Sequence, residues 1–85
     1  MSCFVYIIWS DKLNKYYVGS TQNIQNRVKE HNSGECIFTS KGKPWKLVWD
    51  LELQNRREAV RLEHKIKKRG ARRFLEDFSG GSSAR

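Results

Sequence analysis

Residues 3–9 have the sequence Cys-Phe-Val-Tyr-Ile-Ile-Trp, and residues 16–20 have the sequence Tyr-Tyr-Val-Gly-Ser. The first run is continuously apolar or aromatic with β-branched residues in its middle, which is typical of a central strand covered on both faces. Residues 10–15 between the two runs are polar and predict a turn, so the whole stretch is expected to form a β-hairpin. Tyr6 and Tyr17 then share one face of the hairpin if the numbers of opposed residues sum to an odd value.

Start and stop signals predict the remaining elements. These are a helix over 23–32, a loop over 33–44, a strand over 45–52, a helix over 56–69 and a short final helix over 71–78. Thr21 is expected to cap the first helix and Asn55 the second, which Gly70 ends. Trp45 and Trp49 are expected to share one face of the third strand. The fold class is therefore α+β, with a small three-stranded antiparallel sheet flanked by three helices.

Length and composition restrict the class of protein. The 85 residues are 38% hydrophobic and 31% charged, which is typical of one small globular domain. We expect that domain to span residues 1–78, followed by a flexible Gly/Ser-rich tail over 79–85. No apolar run approaches the ~20 residues of a membrane span. The lack of a signal peptide and of paired cysteine spacing predicts a cytoplasmic protein.

The positive charge is concentrated near the C-terminus. The chain carries 17 Lys and Arg against 9 Asp and Glu, for a net charge of +8, and nine of the basic residues lie within 56–73. A basic stripe of this kind indicates binding to a phosphate backbone, although a solvated helix face that serves only solubility remains an alternative. The residues expected to contact nucleic acid are Lys65, Lys67, Lys68, Arg69, Arg72 and Arg73.

Two polar residues lie on the apolar stripe of the first predicted helix. Ile24, Arg27, Val28 and His31 follow the i, i+3, i+4, i+7 spacing of one helix face. An Arg and a His that face inward are costly unless an anion meets them. The alternatives are an Arg that extends to solvent and a His bonded to a backbone carbonyl.

The second long helix places a carboxylate, Glu63, on its apolar face beside Ala59 and Ile66. A half-buried carboxylate requires a cation, either Arg27 in an ion pair or a metal ion. Mg²⁺ often takes one or two protein carboxylates together with waters and a substrate phosphate. Gly19, in the second strand, indicates a bulge or a close backbone approach, which a substrate phosphate could supply.

These residues resemble the GIY-YIG nuclease family, and the compact stand-alone members in particular. Val-Tyr-Ile at 5–7 is similar to the first family motif, and Tyr-Val-Gly at 17–19 to the second. Arg27 and His31 match the family's Arg and the His one helical turn later. Glu63, in its Ala-x-x-x-Glu-x-x-Ile-Lys context, matches the family's Glu.

The resemblance implies metal-dependent hydrolysis of DNA phosphodiester bonds. It implies that Tyr17 is a general base or orients the attacking water, with Tyr6 and His31 assisting its deprotonation. It further implies that Arg27 stabilises the developing negative charge and that Glu63 holds Mg²⁺ or Mn²⁺. Family members usually depend on attached modules for specificity, so the expected nuclease is structure-selective, linked to DNA repair or maintenance, or assisted by a partner protein.

Three departures from the family pattern separate the functional alternatives. Phe4 replaces the Gly of the first motif, Ser20 replaces a Lys found after the second in some relatives, and no Asn follows Asn55. The missing downstream Asn favours an alternative in which the domain binds nucleic acid but cleaves weakly or not at all. A third hypothesis is a structural domain that is basic for solubility, which predicts no salt-sensitive binding to DNA.

Overall fold

The computed structural model describes residues 2–34 and 40–77. Its strands are β1 (Cys3–Ser10), β2 (Lys15–Thr21) and β3 (Trp45–Leu53), and its helices are α1 (Ile24–Ser33), α2 (Arg56–Arg69) and α3 (Ala71–Leu75), with a short 3-10 helix at Ser40–Gly42. The predicted α+β fold, with one three-stranded antiparallel sheet and three helices, is confirmed. Residue 78 of the last predicted helix and the predicted tail at 79–85 lie outside the described residues.

The sheet has the strand order β2-β1-β3, and β1 pairs antiparallel with both neighbours. The continuous apolar run of β1 explains its central place, because a central strand in this fold is covered on both faces. In the hairpin, Tyr6 lies opposite Gly19 and Ile8 lies opposite Tyr17. The opposed numbers sum to an odd value, so Tyr6 and Tyr17 share a face as predicted.

The helices cover opposite faces of the sheet. On one face, Tyr6, Ile8 and Trp45 form a buried cluster against which α1 packs Ile24 and Val28. On the other face, a second cluster joins β1 and β2 to α2 and consists of Cys3, Val5, Ile7, Val18, Ala59 and Ile66. Within the described part of the chain, no helix has the length and apolar character needed to cross a membrane.

A β-bulge in β3 changes which face its side chains occupy. Leu47 pairs with Ile8 and Trp49 pairs with Ile7, so Val48 between them is an extra residue without a partner on β1. As a result Trp45 lies in the cluster beneath α1, whereas Trp49 packs against the cluster beneath α2. The prediction that the two tryptophans share a face is wrong, because the bulge shifts the alternation by one residue.

Side chains at the helix ends satisfy the first free backbone amides. Asn23 caps α1 by accepting a hydrogen bond from the Asn26 amide, so the predicted cap at Thr21 is wrong. Thr21 instead ends β2 and accepts from the Asn23 amide. The predicted cap of α2 is confirmed, since Asn55 accepts from the Glu58 amide.

One buried hydroxyl ties the hairpin turn to the predicted loop. Ser10 is fully buried, and its Oγ accepts from the Leu13 amide and donates to the Gly42 carbonyl. Gly42 has no space for a side chain, because a Cβ there would lie 2.6 Å from the Trp45 ring and 2.8 Å from Leu13. The Ser10 hydroxyl thereby links the segment just before β3 to the turn of the hairpin.

Candidate active site

Two side chains predicted for the site form a buried hydrogen bond. The hydroxyl of Tyr6 on β1 and Nε2 of His31 on α1 are 2.9 Å apart, and the two residues are only 2% and 1% exposed. His31 lies on the apolar stripe of α1, as its spacing from Ile24 and Val28 predicted. The inward-facing His is therefore satisfied by a phenol.

The space for the Tyr6 ring depends on Gly19. A Cβ on Gly19 would lie 2.6 Å from the Tyr6 hydroxyl oxygen and 2.8 Å from its Cζ, both far inside normal contact distance. The close approach expected at Gly19 thus comes from the ring of Tyr6 across the hairpin. The two sequence motifs pack against each other through this pair.

Tyr17 completes an aromatic cluster on the same face. Its ring lies edge-on to His31 with centroids 5.1 Å apart, and it also meets Trp45 at 6.2 Å. Tyr17 is only partly buried, whereas Tyr6 beside it is fully buried. The cluster therefore presents one accessible phenol, Tyr17, over a buried hydrogen-bonded pair.

The environment of His31 favours the neutral imidazole. Burial lowers the pKa of His31, the positive charge of Arg27 lowers it further, and the negative charge of Glu30 partly opposes both effects. A neutral imidazole has one nitrogen that accepts a proton and one that donates. The neutral ring can thus either accept the Tyr6 hydroxyl proton in a hydrogen bond at Nε2 or donate its own to the phenol oxygen, according to its tautomer.

Arg27 lies one turn before His31 on α1, with its side chain 43% exposed, and its guanidinium is 3.4 Å from the Glu30 carboxylate. It extends from the helix as the solvent-directed alternative describes. On another side of α1, the Asn32 amide bonds the backbone of Trp45 in β3, donating to its carbonyl at 3.1 Å. Since Arg27 and Asn32 point to different sides of the helix, Arg27 faces the β2 edge of the sheet.

Glu63 lies on α2, across the sheet from the aromatic cluster. Its side chain is 16% exposed, and its carboxylate is 2.7 Å from the ammonium group of Lys67 one turn later. An ion pair between Glu63 and Arg27 was one alternative from the sequence, and it is wrong. Each residue instead takes its partner from its own helix, at i+4 for Glu63 and at i+3 for Arg27.

A cleft at the β2 edge of the sheet is lined by residues of both α1 and α2. Arg27 of α1 and Arg56 of α2 line it together, with Ser20 and Thr21 at the end of β2. Arg56 and Glu63 are nearly two turns apart on α2 and lie on the same side of that helix. The tyrosines, His31 and Arg27 are therefore gathered on one side of β2, and Glu63 lies on the flank of α2 that borders the same edge.

Glu63 carries the carboxylate that the sequence predicted as a metal ligand. Among residues 2–34 and 40–77, no three His, Cys, Asp or Glu side chains converge. The donor set is thus hard oxygen from one partly buried carboxylate, which suits Mg²⁺ or Mn²⁺ completed by water and phosphate oxygens. In the structure, the cation beside that carboxylate is the ammonium group of Lys67.

The predicted nucleic-acid residues are all exposed, but two of them have acidic partners. Lys67 pairs with Glu63, and Arg69 pairs with Asp77, which raises the pKa of Arg69. Of the six, Lys65, Lys68, Arg72 and Arg73 form no ion pair with a carboxylate of the described residues. From the sequence, Arg56 is only one member of the basic stripe. Its spacing of seven residues from Glu63, however, predicts that the two side chains lie on the same side of α2.

Comparisons with known proteins show the family and the fold of the chain. The family model described as the GIY-YIG catalytic domain matches residues 2–75. A UPF0213 protein of Clostridium perfringens is 36% identical over 80 residues, which are 93% of this chain and 85% of the relative, and one of Staphylococcus haemolyticus is 35% identical over 75% of this chain and 78% of the relative. The solution NMR structure of a UPF0213 protein from Bacillus halodurans is 30% identical, with a TM-score of 0.57 over 95% of this chain and 88% of that one.

Proposed function

Because the chain belongs to the GIY-YIG catalytic-domain family, a nuclease family, we propose that it is a metal-dependent endonuclease that hydrolyses DNA phosphodiester bonds. The observation that carries this proposal is the cluster of Tyr6, Tyr17 and His31, in which a partly accessible phenol lies over a buried phenol–imidazole hydrogen bond. A buried imidazole bonded to a phenol, with a half-exposed Arg nearby, is suited to proton transfer next to an anion.

In this proposal, water attacks the phosphorus atom and the bond to the 3′ oxygen breaks. Tyr17 accepts the proton of the water or orients it, and the hydrogen-bonded pair of Tyr6 and His31 provides the nearby proton acceptor. The products are a 5′-phosphate and a 3′-hydroxyl, with the water proton passing to the protein and a proton returning to the leaving oxygen. Arg27 stabilises the negative charge that develops on the phosphate oxygens.

Glu63 is the residue proposed to hold Mg²⁺ or Mn²⁺. When bound, such an ion neutralises charge on the phosphate and on the leaving oxygen. Glu63 supports this role because its carboxylate is shielded from solvent and already holds a cation, the ammonium of Lys67. Lys67 must give up that contact when a metal ion binds, and its charge is then available to the DNA backbone.

The exposed basic face of α2 and α3 supports a nucleic acid as the partner, and the proposed compartment is the cytoplasm. Lys65, Lys68, Arg72 and Arg73 lie close in sequence and are exposed, so each can contact a phosphate. Contacts of this kind carry no sequence information, and specificity is therefore proposed to come from DNA structure or from a partner protein. The proposed role in repair or maintenance of DNA rests on the resemblance to the family.

A cleavage assay tests the proposal on supercoiled, linear, single-stranded and branched DNA with Mg²⁺, Mn²⁺ or EDTA. Tyr17→Phe should reduce metal-dependent cleavage by about 100-fold or more, and Glu63→Gln should abolish it while sparing DNA binding. Tyr16→Phe is the matched control for Tyr17, because Tyr16 lies on the opposite face of β2 and packs against Trp9. Glu58→Gln, which alters an exposed carboxylate of the same helix, is the control for Glu63.

The outcomes separate the proposal from its alternative. Equal activity of the Tyr17→Phe and Tyr16→Phe variants would remove Tyr17 from the chemistry. Absence of cleavage with intact, salt-sensitive DNA binding would identify a nucleic-acid-binding domain without turnover. Absence of salt-sensitive binding as well would leave the basic surface a solubility feature.

A further inference from the structure

We propose that the cleft lined by Arg27 and Arg56 is a second phosphate subsite, which binds a phosphate group within one or two nucleotides of the scissile one on the same DNA strand. This inference rests on the proposed nuclease function, because only a nuclease has a scissile phosphate. The binding of a phosphate in the cleft can nevertheless be tested without cleavage. It assigns to Arg56 a role in positioning the substrate strand.

The cleft lies where β2 ends and both long helices begin. It has a volume of about 390 Å³, large enough for a phosphate group with part of a sugar. Besides Arg27 and Arg56, it is lined by hydroxyl and amide side chains, including those of Ser20, Thr21 and Asn26. Polar atoms therefore dominate a concave surface that is accessible from the β2 edge.

The donors in the cleft suit a phosphate oxygen. Arg27 and Arg56 each carry a planar guanidinium whose parallel N–H groups match two oxygens of one phosphate. One carboxylate, Glu30, also lines the cleft, and it is paired with Arg27 at 3.4 Å. Glu30 neutralises one of the two guanidinium groups, so the cleft keeps one net positive charge, which Arg56 supplies.

Arg56 is one of the described arginines whose positive charge is not compensated by an ion pair. Arg27, Arg61 and Arg69 each lie within ion-pair distance of an acidic residue, whereas no carboxylate of the described residues does so for Arg56. As the first residue of α2, it is exposed at the surface. Its side chain is thus free to bond an anion in the cleft.

The cleft lies on the same strand, β2, as the proposed catalytic residue Tyr17. Along β2, Ser20 lies three residues beyond Tyr17, which corresponds to about 10 Å at ~3.4 Å per residue. Arg27 borders both the cleft and the side of the sheet that carries the tyrosines. A strand that lies along β2 with one phosphate at Tyr17 therefore brings a phosphate one or two nucleotides away to the cleft.

The test is a scan in which single phosphates of a DNA duplex are replaced by neutral methylphosphonates, with binding measured in EDTA. Wild type should lose about tenfold in affinity when the contacted phosphate is neutralised. The Arg56→Ala variant should bind unmodified DNA about tenfold more weakly than the wild type does. Neutralising the contacted phosphate should then weaken its binding by less than a further twofold, because the contact of Arg56 with that phosphate is already lost. Arg56→Lys, which keeps the charge, should recover part of the sensitivity.

Arg57→Ala is the matched control, because Arg57 carries the same charge one residue later on the side of α2 away from the buried Ala59. It should keep the full wild-type sensitivity at the position that Arg56→Ala loses. Equal sensitivity of the Arg56→Ala and Arg57→Ala variants at every phosphate would overturn the subsite, whether or not the protein cleaves DNA. A thermal melt of each variant verifies that it is folded.

Mapping the cut site in Mg²⁺ separates this inference from the nuclease proposal. A sensitive phosphate within one or two nucleotides of the cut supports the assigned position, and a distant one contradicts it. If the wild type does not cleave but the scan yields one position that depends on Arg56, the phosphate subsite is supported and the nuclease proposal alone fails.

Discussion

Gly19 lies directly opposite Tyr6 in the hairpin, with no space for a β-carbon between the glycine and the phenol ring. The two motif residues are therefore one packing unit, and the hydrogen bond of Tyr6 to His31 depends on it. Glycine is needed here for space and not for backbone conformation, since its φ is not in the left-handed region.

Gly19→Ala should push the Tyr6 ring away and lengthen its bond to His31. Overpacking of this kind costs typically about 1–3 kcal/mol of folding free energy. Urea denaturation measures the loss, and the proposed DNA cleavage should fall with it by more than the folded fraction explains.

A double-mutant cycle with Tyr6→Phe checks the physical cause of this loss. Removing the hydroxyl eliminates the 2.6 Å contact, although the 2.8 Å contact with Cζ remains. The cost of Gly19→Ala should therefore be smaller in the Tyr6→Phe background than in the wild type. Additive costs would mean that Tyr6 is not the residue that Gly19 accommodates.

The buried histidine predicts a pH dependence of stability. Burial is the main cause that lowers the pKa of His31 in the folded chain, so the unfolded chain, near its ordinary value of about 6.5, binds more protons. The stabilising contribution is present above about pH 6.5 and is lost as the pH falls through the lowered value. Urea denaturation between about pH 5 and 8 should show this loss in the wild type.

His64→Asn provides the control for the pH prediction. His64 is exposed on α2, and its removal leaves His31 as the one histidine, since the chain has two. The ring signal that remains in an NMR titration then belongs to His31, and its midpoint should lie below about 6.5. A midpoint at or above that value would contradict the neutral imidazole of the proposed mechanism.

Local sequence signals predicted most of the fold, because the alternation of apolar and polar side chains in a strand and the capping of a helix each depend on only a few neighbouring residues. The hairpin, and α2 with its Asn55 cap, follow from such signals. The bulge at Val48 does not, since the sequence of β3 is compatible with regular alternation and the extra residue is set by how β3 pairs with β1. This is why Trp45 and Trp49 were expected on one face.

The candidate site shows the same division between local and tertiary information. Helical periodicity identified His31 and Glu63 as inward-facing, but their partners depend on the three-dimensional arrangement. The Tyr6–His31 bond joins residues 25 positions apart, which no local pattern predicts. The ion pairs of Arg27 with Glu30 and of Glu63 with Lys67 have i, i+3 and i, i+4 spacing, so this local signal could have predicted them.

Ser10 predicts a stability effect far from the proposed chemistry. Ser10→Ala leaves the buried Gly42 carbonyl and the Leu13 amide without the hydroxyl that bonds both. Unsatisfied buried groups of this kind cost about 1–3 kcal/mol, which a thermal or urea melt detects. Ser2→Ala, at an exposed position, should leave the midpoint unchanged; an equally small effect of Ser10→Ala would contradict the bonding described.

Lys67 is expected to have opposite effects on the two proposed ligands. Its ammonium group neutralises Glu63 at 2.7 Å, so a metal ion must displace it to reach the carboxylate. Lys67→Met removes this competitor, and Mg²⁺ or Mn²⁺ affinity should rise severalfold by calorimetric titration. DNA affinity should fall, with the salt slope of binding reduced by about 0.9, because one phosphate contact is lost.

Lys68→Met distinguishes this competition from a general effect of charge. Lys68 is exposed on the same helix and has no carboxylate partner within the described ranges 2–34 and 40–77, so its removal should weaken DNA binding without changing metal affinity. A rise in metal affinity in both variants would indicate that overall positive charge, and not the contact with Glu63, opposes the metal ion. Unchanged metal affinity in Lys67→Met would mean that Glu63 does not bind the metal, and would leave the Lys67 contact a structural ion pair of α2.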